Sequence, residues 1–442
     1  MSSYRNVFRA TTLFCVLIAG NAFFSAFGQD TLRVMHYNLL NYGNFTSSCT
    51  STNNALADKD VHLTTICNYV KPDILTVNEM GDNNVYGNRI LANVLNTGSK
   101  TSYEKGDFTN NGFSSIVNHI FYDSDKLTLA RQEFVDKDLS NSNIVRVLDI
   151  YTLYYNDPNL ATTLDTTFLH VVVVHLKAGS SNSDRVDRDA STEALMAHLD
   201  AKDLRGNYIL CGDFNARSST EDGMQNLLTH PNEQFRFLDP INQLGSWNNS
   251  SAFAQYHTQS TRTSGGCFSG GGMDDRFDLI LANSHVINDS ANISIVPGSY
   301  DALGQDGNRF NGTINSPSNA SVPVGVANAL FEMSDHLPVI VDLKFSGLVT
   351  GDAELDAQGT SVVFTNPVMD DWNLQIANFK GTVATLELFT LTGQRVFTEQ
   401  VPANGDQRLI YRDAFPDLPA GTYVVRLYNE NGWSWASPVV KI

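Results

Sequence analysis

Residues 331–343 read FEMSDHLPVIVDL. Three polar residues, Ser334, Asp335 and His336, precede an apolar run that is typical of a buried β-strand. A carboxylate and an imidazole at the edge of a core are costly to desolvate unless they are paired or bind a metal ion. The stretch therefore predicts a buried strand with a polar site at its start, and the partners of that site must come from elsewhere in the chain.

Residues 31–345 alternate apolar, strand-like segments with polar loops. Segments such as TFLHVVVVHLK and NYILCGDFN are rich in Val, Ile and Leu and are bounded by Gly, Asn and Asp, as β-strands are. Apolar residues at helical spacing predict one helix in DVHLTTICNYV and a second in DASTEALMAHLDAK. Because strands and helices interleave, we expect an α+β fold, a four-layer α/β/β/α sandwich with two sheets face to face and helices outside. Residues 298–328, rich in Gly, Asn, Ser and Pro, predict a long surface loop.

The first 28 residues have the features of a signal peptide. Arg5 and Arg9 precede the apolar stretch TLFCVLIAGNAFFSAF, and small residues follow at the expected cleavage point. A membrane anchor is the alternative, but Gly20 and Asn21 interrupt the stretch, and a spanning helix needs about 20 apolar residues. We therefore expect an exported mature chain without a stable membrane span.

Five cysteines occur in the chain. Cys15 would leave with the signal peptide, and the four that remain can form disulfides in an exported protein. Cys49 and Cys67 would close a local loop and form the favoured pair. Cys211 lies in a strand-like segment and fits the core, which leaves Cys267 without an assigned partner.

The amino-acid composition and the strand pattern of the chain change near Phe345. Residues 346–360 are small, polar and acidic and predict a linker, whereas residues 361–442 contain short strand-like segments separated by turns. These segments predict a small all-β sandwich domain. The domain contains no His and no Cys, so we expect catalysis to reside in residues 29–345.

The net charge of −18 limits the classes of function. It argues against a protein that binds nucleic acid through a broad basic surface. It still permits an enzyme that touches a few phosphates, because a bound divalent cation supplies local positive charge.

Acids, amides and imidazoles stand at the ends of the predicted strands: Asn38, Glu79, His175, Asp213, Asn215, Asp278, Asp335 and His336. Each one alone fits a structural role, such as a turn cap or a buried histidine with one partner. Together they indicate a shared cleft, because loops at strand ends carry functional groups while the sheets fix their geometry.

The residue types fit phosphoester hydrolysis. Asn38, Glu79 and Asp335 offer the oxygen ligands that hard divalent cations prefer, and Asp213 can take a proton from water. No Ser or Cys nucleophile elbow, no HExxH and no CxxC occurs in the chain, which disfavours a zinc hydrolase.

The remaining candidates fit the stabilisation of phosphate charge. Asn215, His175 and His336 can donate hydrogen bonds to a phosphate whose charge grows in the transition state. Asp278 can hold His336 in its working tautomer from behind, as a carboxylate does in other hydrolases.

The segments YNLLNYG, DILTVNEM, HLKAG, CGDFNA, DDRFDLIL and SDHLPV follow one another along residues 31–345. In this order they resemble the endonuclease/exonuclease/phosphatase superfamily, whose fold is deoxyribonuclease I-like. The resemblance implies that Asn38 and Glu79 serve Mg²⁺, with Mn²⁺ or Ca²⁺ as alternatives, and that Arg146 matches a phosphate-contacting arginine. A glutamate supports the histidine of the third motif in deoxyribonuclease I, whereas this chain offers Asn118.

The resemblance assigns roles to the other candidates as well. It implies that Asp213 is the base, that Asn215 and His175 bind phosphate, and that Asp278, Asp335 and His336 complete the site. It also implies a nucleic acid as substrate. We expect a monomer.

At the C-terminus, LELFTLTGQRVF, LPAGTYVVRLYNENG and the final VVKI resemble a type IX secretion sorting domain of type A. The resemblance implies export by the type IX secretion machinery and a secreted or outer-cell-surface protein. A carbohydrate-binding or adhesive sandwich is the alternative for these strands.

Three functions stay open from the sequence. The first is a secreted endonuclease, which Arg262 and the flexible glycines ahead of the DDRFD segment suit. The second is a lipid or sugar phosphoesterase, such as a sphingomyelinase or an inositol phosphatase. The third is a catalytically silent binding protein on the same scaffold, although such a protein has no need of the complete set of polar residues.

Overall fold

A computed structural model describes residues 30–156 and 166–345, and residues 361–441 apart from short gaps. The predicted signal peptide, residues 1–28, and the predicted linker, residues 346–360, lie outside the described residues and stay predictions.

The first part of the chain forms thirteen strands and six α-helices within its described ranges. The strands are β1 (Asp30–Tyr42), β2 (Ile74–Gly81), β3 (Tyr103–Lys105), β4 (Ile116–Asp123), β5 (Leu127–Lys137), β6 (Asn143–Tyr155), β7 (Phe168–His175), β8 (Asn207–Asp213), β9 (Phe237–Leu238), β10 (Asp278–Asn283), β11 (Ile293–Ile295), β12 (Asp301–Ala302) and β13 (Val339–Phe345). The helices are α1 (Leu56–Val70), α2 (Asn84–Ile90), α3 (Asn182–Lys202), α4 (Asp222–Leu228), α5 (Ser284–Asn288) and α6 (Val324–Met333), with a π-helix at Leu91–Leu95 and a 3₁₀ turn at Ser251–Phe253.

These strands form two mixed sheets. The first has the order β11-β13-β1-β2-β4-β3 with β12 also paired to β13, and the second has the order β5-β6-β7-β8-β10-β9. Strand β1 runs parallel to β2, and β7 runs parallel to β8, whereas the other described pairs are antiparallel. Each parallel pair needs a long crossover, and α1 and α3 provide the two crossovers.

The core lies in three apolar layers. Leu32 and Val34 of β1 share the layer between the sheets with Val171 and Val173 of β7. The outer face of the first sheet packs against α1 and α6, and the outer face of the second sheet packs against α3 and α4. The order of layers is therefore α/β/β/α, and the α+β fold class predicted from the sequence is confirmed.

Toward one end of the strands, the side chains that face the interior change from apolar to polar. In β1 the side chains of Leu32 and Val34 belong to this layer, and His36 and Asn38 follow on the same face because side chains alternate with a period of two. His175 and Asp213 end β7 and β8 on the matching face of the second sheet. The candidate residues therefore complete one end of the interior between the sheets.

Two boundaries differ from the sequence predictions. Helix α3 begins after Ser181, whose hydroxyl accepts from the Asp184 amide while the Asp184 carboxylate accepts from the Ser181 amide. This capping box starts the helix seven residues before the predicted segment, through turns too polar to show apolar periodicity. The predicted loop at 298–328 contains the short β12 and ends at Val324, where α6 begins.

The favoured Cys49–Cys67 disulfide is wrong. Cys49 is bonded to Cys267, 218 positions later in the sequence. Cys67 lies on the face of α1 that packs against the first sheet and keeps a free, buried thiol. Cys211 is a free thiol in the layer between the sheets, as expected. The predicted pair was favoured because its two cysteines are close in the sequence. In the fold, however, the loop after β1 meets the glycine-rich loop before β10.

Replacing both Cys49 and Cys267 by Ala should lower the free energy of unfolding by about 2–4 kcal/mol, because the bridge constrains a long segment of the unfolded chain. Denaturant unfolding of the oxidised protein and the double variant measures the difference.

Peptide mapping without reduction should link Cys49 to Cys267. Cys67 and Cys211 should react with thiol reagents only after unfolding, because burial raises both thiol pKa values to about 12. A Cys49–Cys67 peptide would contradict this assignment.

Residues 361–441 form seven further strands in their described parts: β14 (Ser361–Phe364), β15 (Asp371–Ala377), β16 (Val383–Thr390), β17 (Arg395–Pro402), β18 (Arg408–Ala414), β19 (Gly421–Tyr428) and β20 (Ser434–Lys441). They make sheets of order β14-β15-β18 and β17-β16-β19-β20. Trp372 and Leu374 of one sheet share a core with Leu386 and Val425 of the other, so this region is a small all-β sandwich. Across the described ranges of the whole chain, no helix is long and apolar enough to cross a membrane.

Candidate active site

The strand register brings the candidate residues to one end of the sandwich. His175 pairs with Asp213 across the parallel strands β7 and β8, and Asp213 pairs with Asp278 across β8 and β10. In the other sheet Asn38 pairs with Asn78. The backbone therefore fixes which side chains meet, and the loops after the strands complete the site.

Asn38 connects the two sheets at this end. Its amide nitrogen donates to Glu79 Oε1 at 3.2 Å and to Asp213 Oδ2 at 3.1 Å. Its amide oxygen accepts from the backbone N–H of Leu40, and the N–H of Asn41 donates to the second oxygen of Glu79. A donor shared by two carboxylates reduces their mutual repulsion, so Asn38 holds both acids close together.

His336 is held between two carboxylates. Its Nδ1 donates to Asp278 Oδ2 at 2.7 Å, and its Nε2 lies 3.8 Å from Asp213 Oδ2. Burial by itself lowers the pKa of His336, but the charges of Asp278 and Asp213 and the bond to Asp278 outweigh it and raise the pKa well above the ordinary value. The ring therefore carries a positive charge while these acids are ionised.

Asp213 lies at the centre of the site and is almost fully buried. Burial raises its pKa to about 7, and the charge of His336 opposes the rise. Its Oδ1 accepts from the backbone N–H of Asn215 at 3.0 Å. Asn215 adopts a left-handed conformation with φ of 50°. The carboxyl group is therefore oriented by fixed donors and can exchange a proton near neutral pH.

His175 faces the same acids. Its Nε2 lies 3.5 Å from Asp213 Oδ2 and 3.9 Å from Glu79 Oε1. Burial lowers the pKa of His175 well below the ordinary value, and the nearby charge of Arg146 lowers it further. Its Nδ1 has no partner in the described part of the chain, and Asn118 donates instead to the backbone oxygen of Val147. The ring is therefore neutral.

Glu79, His175 and Asp213 form a group that could hold a metal ion. Each offers one ligand atom, and these atoms lie within 4.8 Å of one another. Two carboxylates and one neutral imidazole are a donor set that suits a divalent cation. The sequence predicted Glu79 as a ligand but assigned His175 and Asp213 only to other roles, although both end strands that face Glu79.

The two other predicted ligands are placed differently. Asn38 turns its amide nitrogen toward the acids. Asp335 Oδ2 accepts from the backbone N–H of Ser269 at 2.7 Å, and its Oδ1 is buried with no partner in the described ranges. Asp335 adds negative charge near His336. Its role as a ligand stays a prediction.

The predicted phosphate contacts line one side of the cluster. Arg146 donates to the backbone oxygen of Leu176 at 3.0 Å, and the Asn215 amide donates to the same oxygen at 3.2 Å. Burial lowers the pKa of Arg146, while Glu79 and Asp213 oppose the change. By contrast, the Arg262 guanidinium stacks on the rings of Phe268 and Phe331 at 3.6 and 4.0 Å and donates to a backbone oxygen. Arg262 therefore supports the loop rather than lining the cluster.

Gln259 and Lys59 lie at the site but had not been singled out from the sequence. The side-chain amide of Gln259 lies 2.6 Å from His336 Nε2. Such an amide can present its nitrogen to a neutral ring or its oxygen to a protonated one. Lys59 is buried and donates to the backbone oxygens of Leu39, Leu40 and Met333, which ties the end of β1 to the segment before His336. Neither residue lies at the end of an apolar strand, the signal that located the others.

No protein-family model and no curated protein matches the sequence. Solved structures similar to the chain include the human Nocturnin catalytic domain with bound sulfate, at 15% identity and a TM-score of 0.45 over 72% of this chain and 98% of that one. An endonuclease/exonuclease/phosphatase family protein from Bacteroides thetaiotaomicron has 15% identity and a TM-score of 0.45 over 73% and 100%. D. rerio TDP2 in complex with a single-strand DNA product has 12% identity and a TM-score of 0.42 over 71% and 98%.

Proposed function

We propose that the chain is a divalent-metal-dependent phosphodiester hydrolase, and specifically a secreted endonuclease that cleaves DNA, with RNA as a second substrate. The observation that carries the proposal is the buried contact of His336 with Asp278 and Asp213, next to the group of Glu79 and His175. A cationic donor, a proton acceptor and a candidate metal site lie together. A binding protein has no need of this combination.

Asp213 is the proposed general base. The amides of Asn38 and Asn215 orient its carboxylate, and burial brings its pKa close to neutral pH, where a base is most effective. His336, positioned by Asp278, is the proposed donor to the phosphate oxygen on which negative charge grows.

Asn215, His175 and Arg146 are the proposed phosphate contacts. Glu79, with the oxygens of Asn38 and Asp335 as the other predicted ligands, would hold Mg²⁺, for which Mn²⁺ or Ca²⁺ could substitute, and the ion would supply electrostatic stabilisation of the phosphate. Asn38 keeps the two carboxylates together whether or not its oxygen also serves as a ligand.

Glu79→Gln should weaken Mg²⁺ or Mn²⁺ binding by about 10-fold or more, because an amide oxygen lacks the charge of a carboxylate at a hard-cation site. Titration calorimetry of the metal-free protein measures the change without any substrate. Glu133→Gln is the matched control, since Glu133 lies on β5 and pairs with Arg131. Equal affinities of the wild type and Glu79→Gln would contradict the assignment.

A panel of substrates tests the proposed function against its alternatives. Duplex DNA, RNA, sphingomyelin, an inositol phosphate and a generic phosphodiester are incubated with the protein, with and without Mg²⁺. We expect metal-dependent cleavage within duplex DNA. Exclusive turnover of sphingomyelin or of the inositol phosphate would favour the second class of enzyme, and no turnover at all would favour a silent binding protein.

We also propose that residues 361–442 are a sorting domain for the type IX secretion machinery, and that the enzyme is a monomer released from the cell or held at its outer surface. The separate core of this region and its lack of His and Cys support the proposal. Deleting residues 361–442 should leave hydrolysis by the remaining chain unchanged but abolish its release into the medium. Activity assays on cell extract and medium measure both effects, and normal release of the truncated chain would contradict the proposal.

A further inference from the structure

The carboxylate of Asp278 has two oxygens, and the contact with His336 uses only one. Oδ2 accepts from His336 Nδ1, whereas Oδ1 is buried and has no hydrogen-bond partner in the described part of the chain. Asp278 is completely inaccessible to solvent. A buried carboxylate oxygen without a donor is costly, so the groups that face it are of interest.

His36 faces that oxygen from the opposite sheet. Its Nε2 lies 3.9 Å from Asp278 Oδ1 and also lacks a hydrogen-bond partner in the described ranges. His36 is fully buried on β1, two residues before Asn38 and on the same face. An unused donor position and an unused acceptor therefore face each other across the layer between the sheets, one step behind the proposed catalytic pair.

The contact of Nδ1 with a threonine hydroxyl is compatible with either tautomer of His36, and one of the two presents a hydrogen to Asp278. Nδ1 lies 2.9 Å from the hydroxyl of Thr76 on β2. When this hydroxyl donates to Nδ1, the neutral ring carries its hydrogen on Nε2, and that hydrogen points toward Asp278. A shift of less than about 1 Å would bring the two atoms into hydrogen-bond range.

We propose that His36 is a positioning residue that donates from Nε2 to Asp278 Oδ1 and thereby holds the carboxylate against His336. The three side chains then form a chain His36–Asp278–His336 that spans both sheets. His36 itself does not touch the substrate. It fixes the orientation of Asp278, which in turn fixes the ring of His336. The proposal rests on the proposed function only where it concerns turnover.

Two substitutions of similar size separate the contacts of His36. His36→Gln places an amide near the position of Nε2 and can still donate to Asp278, whereas His36→Asn places an amide near Nδ1 and keeps only the contact with Thr76. His36→Phe removes both. His170→Phe is the matched control, because His170 is also buried with its Nδ1 3.0 Å from a threonine hydroxyl, that of Thr152, but it belongs to β7 and stacks on Tyr208.

The test follows the Nδ1 proton of His336 by NMR in protein with ¹⁵N-labelled histidine. This proton should give a far-downfield resonance in the wild type, identified by its loss in His336→Asn. We expect it to move upfield and to exchange faster with water in His36→Phe and His36→Asn, and to stay near its wild-type position in His36→Gln and His170→Phe. An unchanged resonance in His36→Phe, or recovery in His36→Asn but not in His36→Gln, would overturn the proposal. If His36→Phe does not fold, the comparison of Gln with Asn decides alone.

Kinetics provide the second measurement. We expect kcat to fall about 10-fold in His36→Phe and His36→Asn with KM little changed, and to recover in His36→Gln, as for other groups that orient a working side chain from behind. A protein that cleaves no phosphodiester would contradict the proposed function, whereas the NMR response would still decide the role of His36. An equal loss of kcat in the Gln and Asn variants would overturn the positioning role.

Discussion

Asp213→Asn is expected to lower the rate of phosphodiester hydrolysis by about 10²–10⁴-fold, the usual contribution of a positioned general base. The amide keeps the size of the side chain, and its single oxygen can still accept from the backbone N–H of Asn215, but it loses the hydrogen bond from Asn38 and cannot take a proton from water. Because burial raises the pKa of Asp213, the fold disfavours the charged carboxylate, which offsets the lost contacts with Asn38 and His336, so we expect only a small change in melting temperature. Kinetics and thermal melting of the same samples measure both effects.

Asp123→Asn is the control for this variant. Asp123 is also a buried aspartate at a strand end and accepts from Ser102, but β4 is antiparallel to β2, so Asp123 lies at the other end of the first sheet's strands, away from the site. It should keep the wild-type rate. If Asp213 only capped a turn, Asp213→Asn would melt earlier and retain its rate per folded molecule, and that result would contradict its role as base.

His336→Ala is expected to reduce turnover by about 10²–10³-fold, because it removes a donor aimed at developing negative charge. It should also lower stability by about 3–5 kcal/mol, since Asp278 then stays buried without its partner. The rate loss and the stability loss have different origins, and a second variant separates them.

His336→Asn places an amide near the former Nδ1 and can still donate to Asp278, but nothing remains at the position of Nε2. We expect its melting temperature to recover most of the loss seen in His336→Ala, while the rate per folded molecule stays low. Rates measured at saturating substrate on samples of known folded fraction make the comparison. A rate that recovers together with stability would mean that His336 acts only in folding.

Much of the site could be predicted because it continues the pattern of the core. One face of β1 carries Val34, His36 and Asn38 in succession. In the second sheet, one face of β7 carries Val173 and His175 in the same way. A polar residue at the last inward position of an apolar strand must have partners in the interior. The same pattern identified the fold class, since two sets of buried strands with interleaved helices form few layered structures.

The parts that could not be predicted depend on irregular loops. Gln259 reaches His336 from a loop without periodicity, and Cys49 meets Cys267 because two loops far apart in the sequence converge in the fold. No local pattern specifies such contacts. His36 is a different case, because it shares the strand face of Asn38 and the alternation could have revealed it.

For the C-terminal sandwich, the sequence pattern predicted the architecture but not the function. Its alternating strands predicted the architecture, and the shared core of Trp372 and Val425 agrees with it. The proposed role of this domain in export would depend on recognition by another assembly, and the deletion of residues 361–442 tests that proposal directly.

The central claim is that these residues form a metal-dependent phosphodiester hydrolase. The most direct test is the release of nitrophenolate from bis(p-nitrophenyl) phosphate by protein that has been freed of metal with a chelator and then supplied with Mg²⁺ or Mn²⁺. We expect no release after chelation, recovery when the metal is restored, and little recovery in Asp213→Asn at the same folded concentration. Full activity after chelation, or equal rates of the wild type and Asp213→Asn, would contradict the central claim.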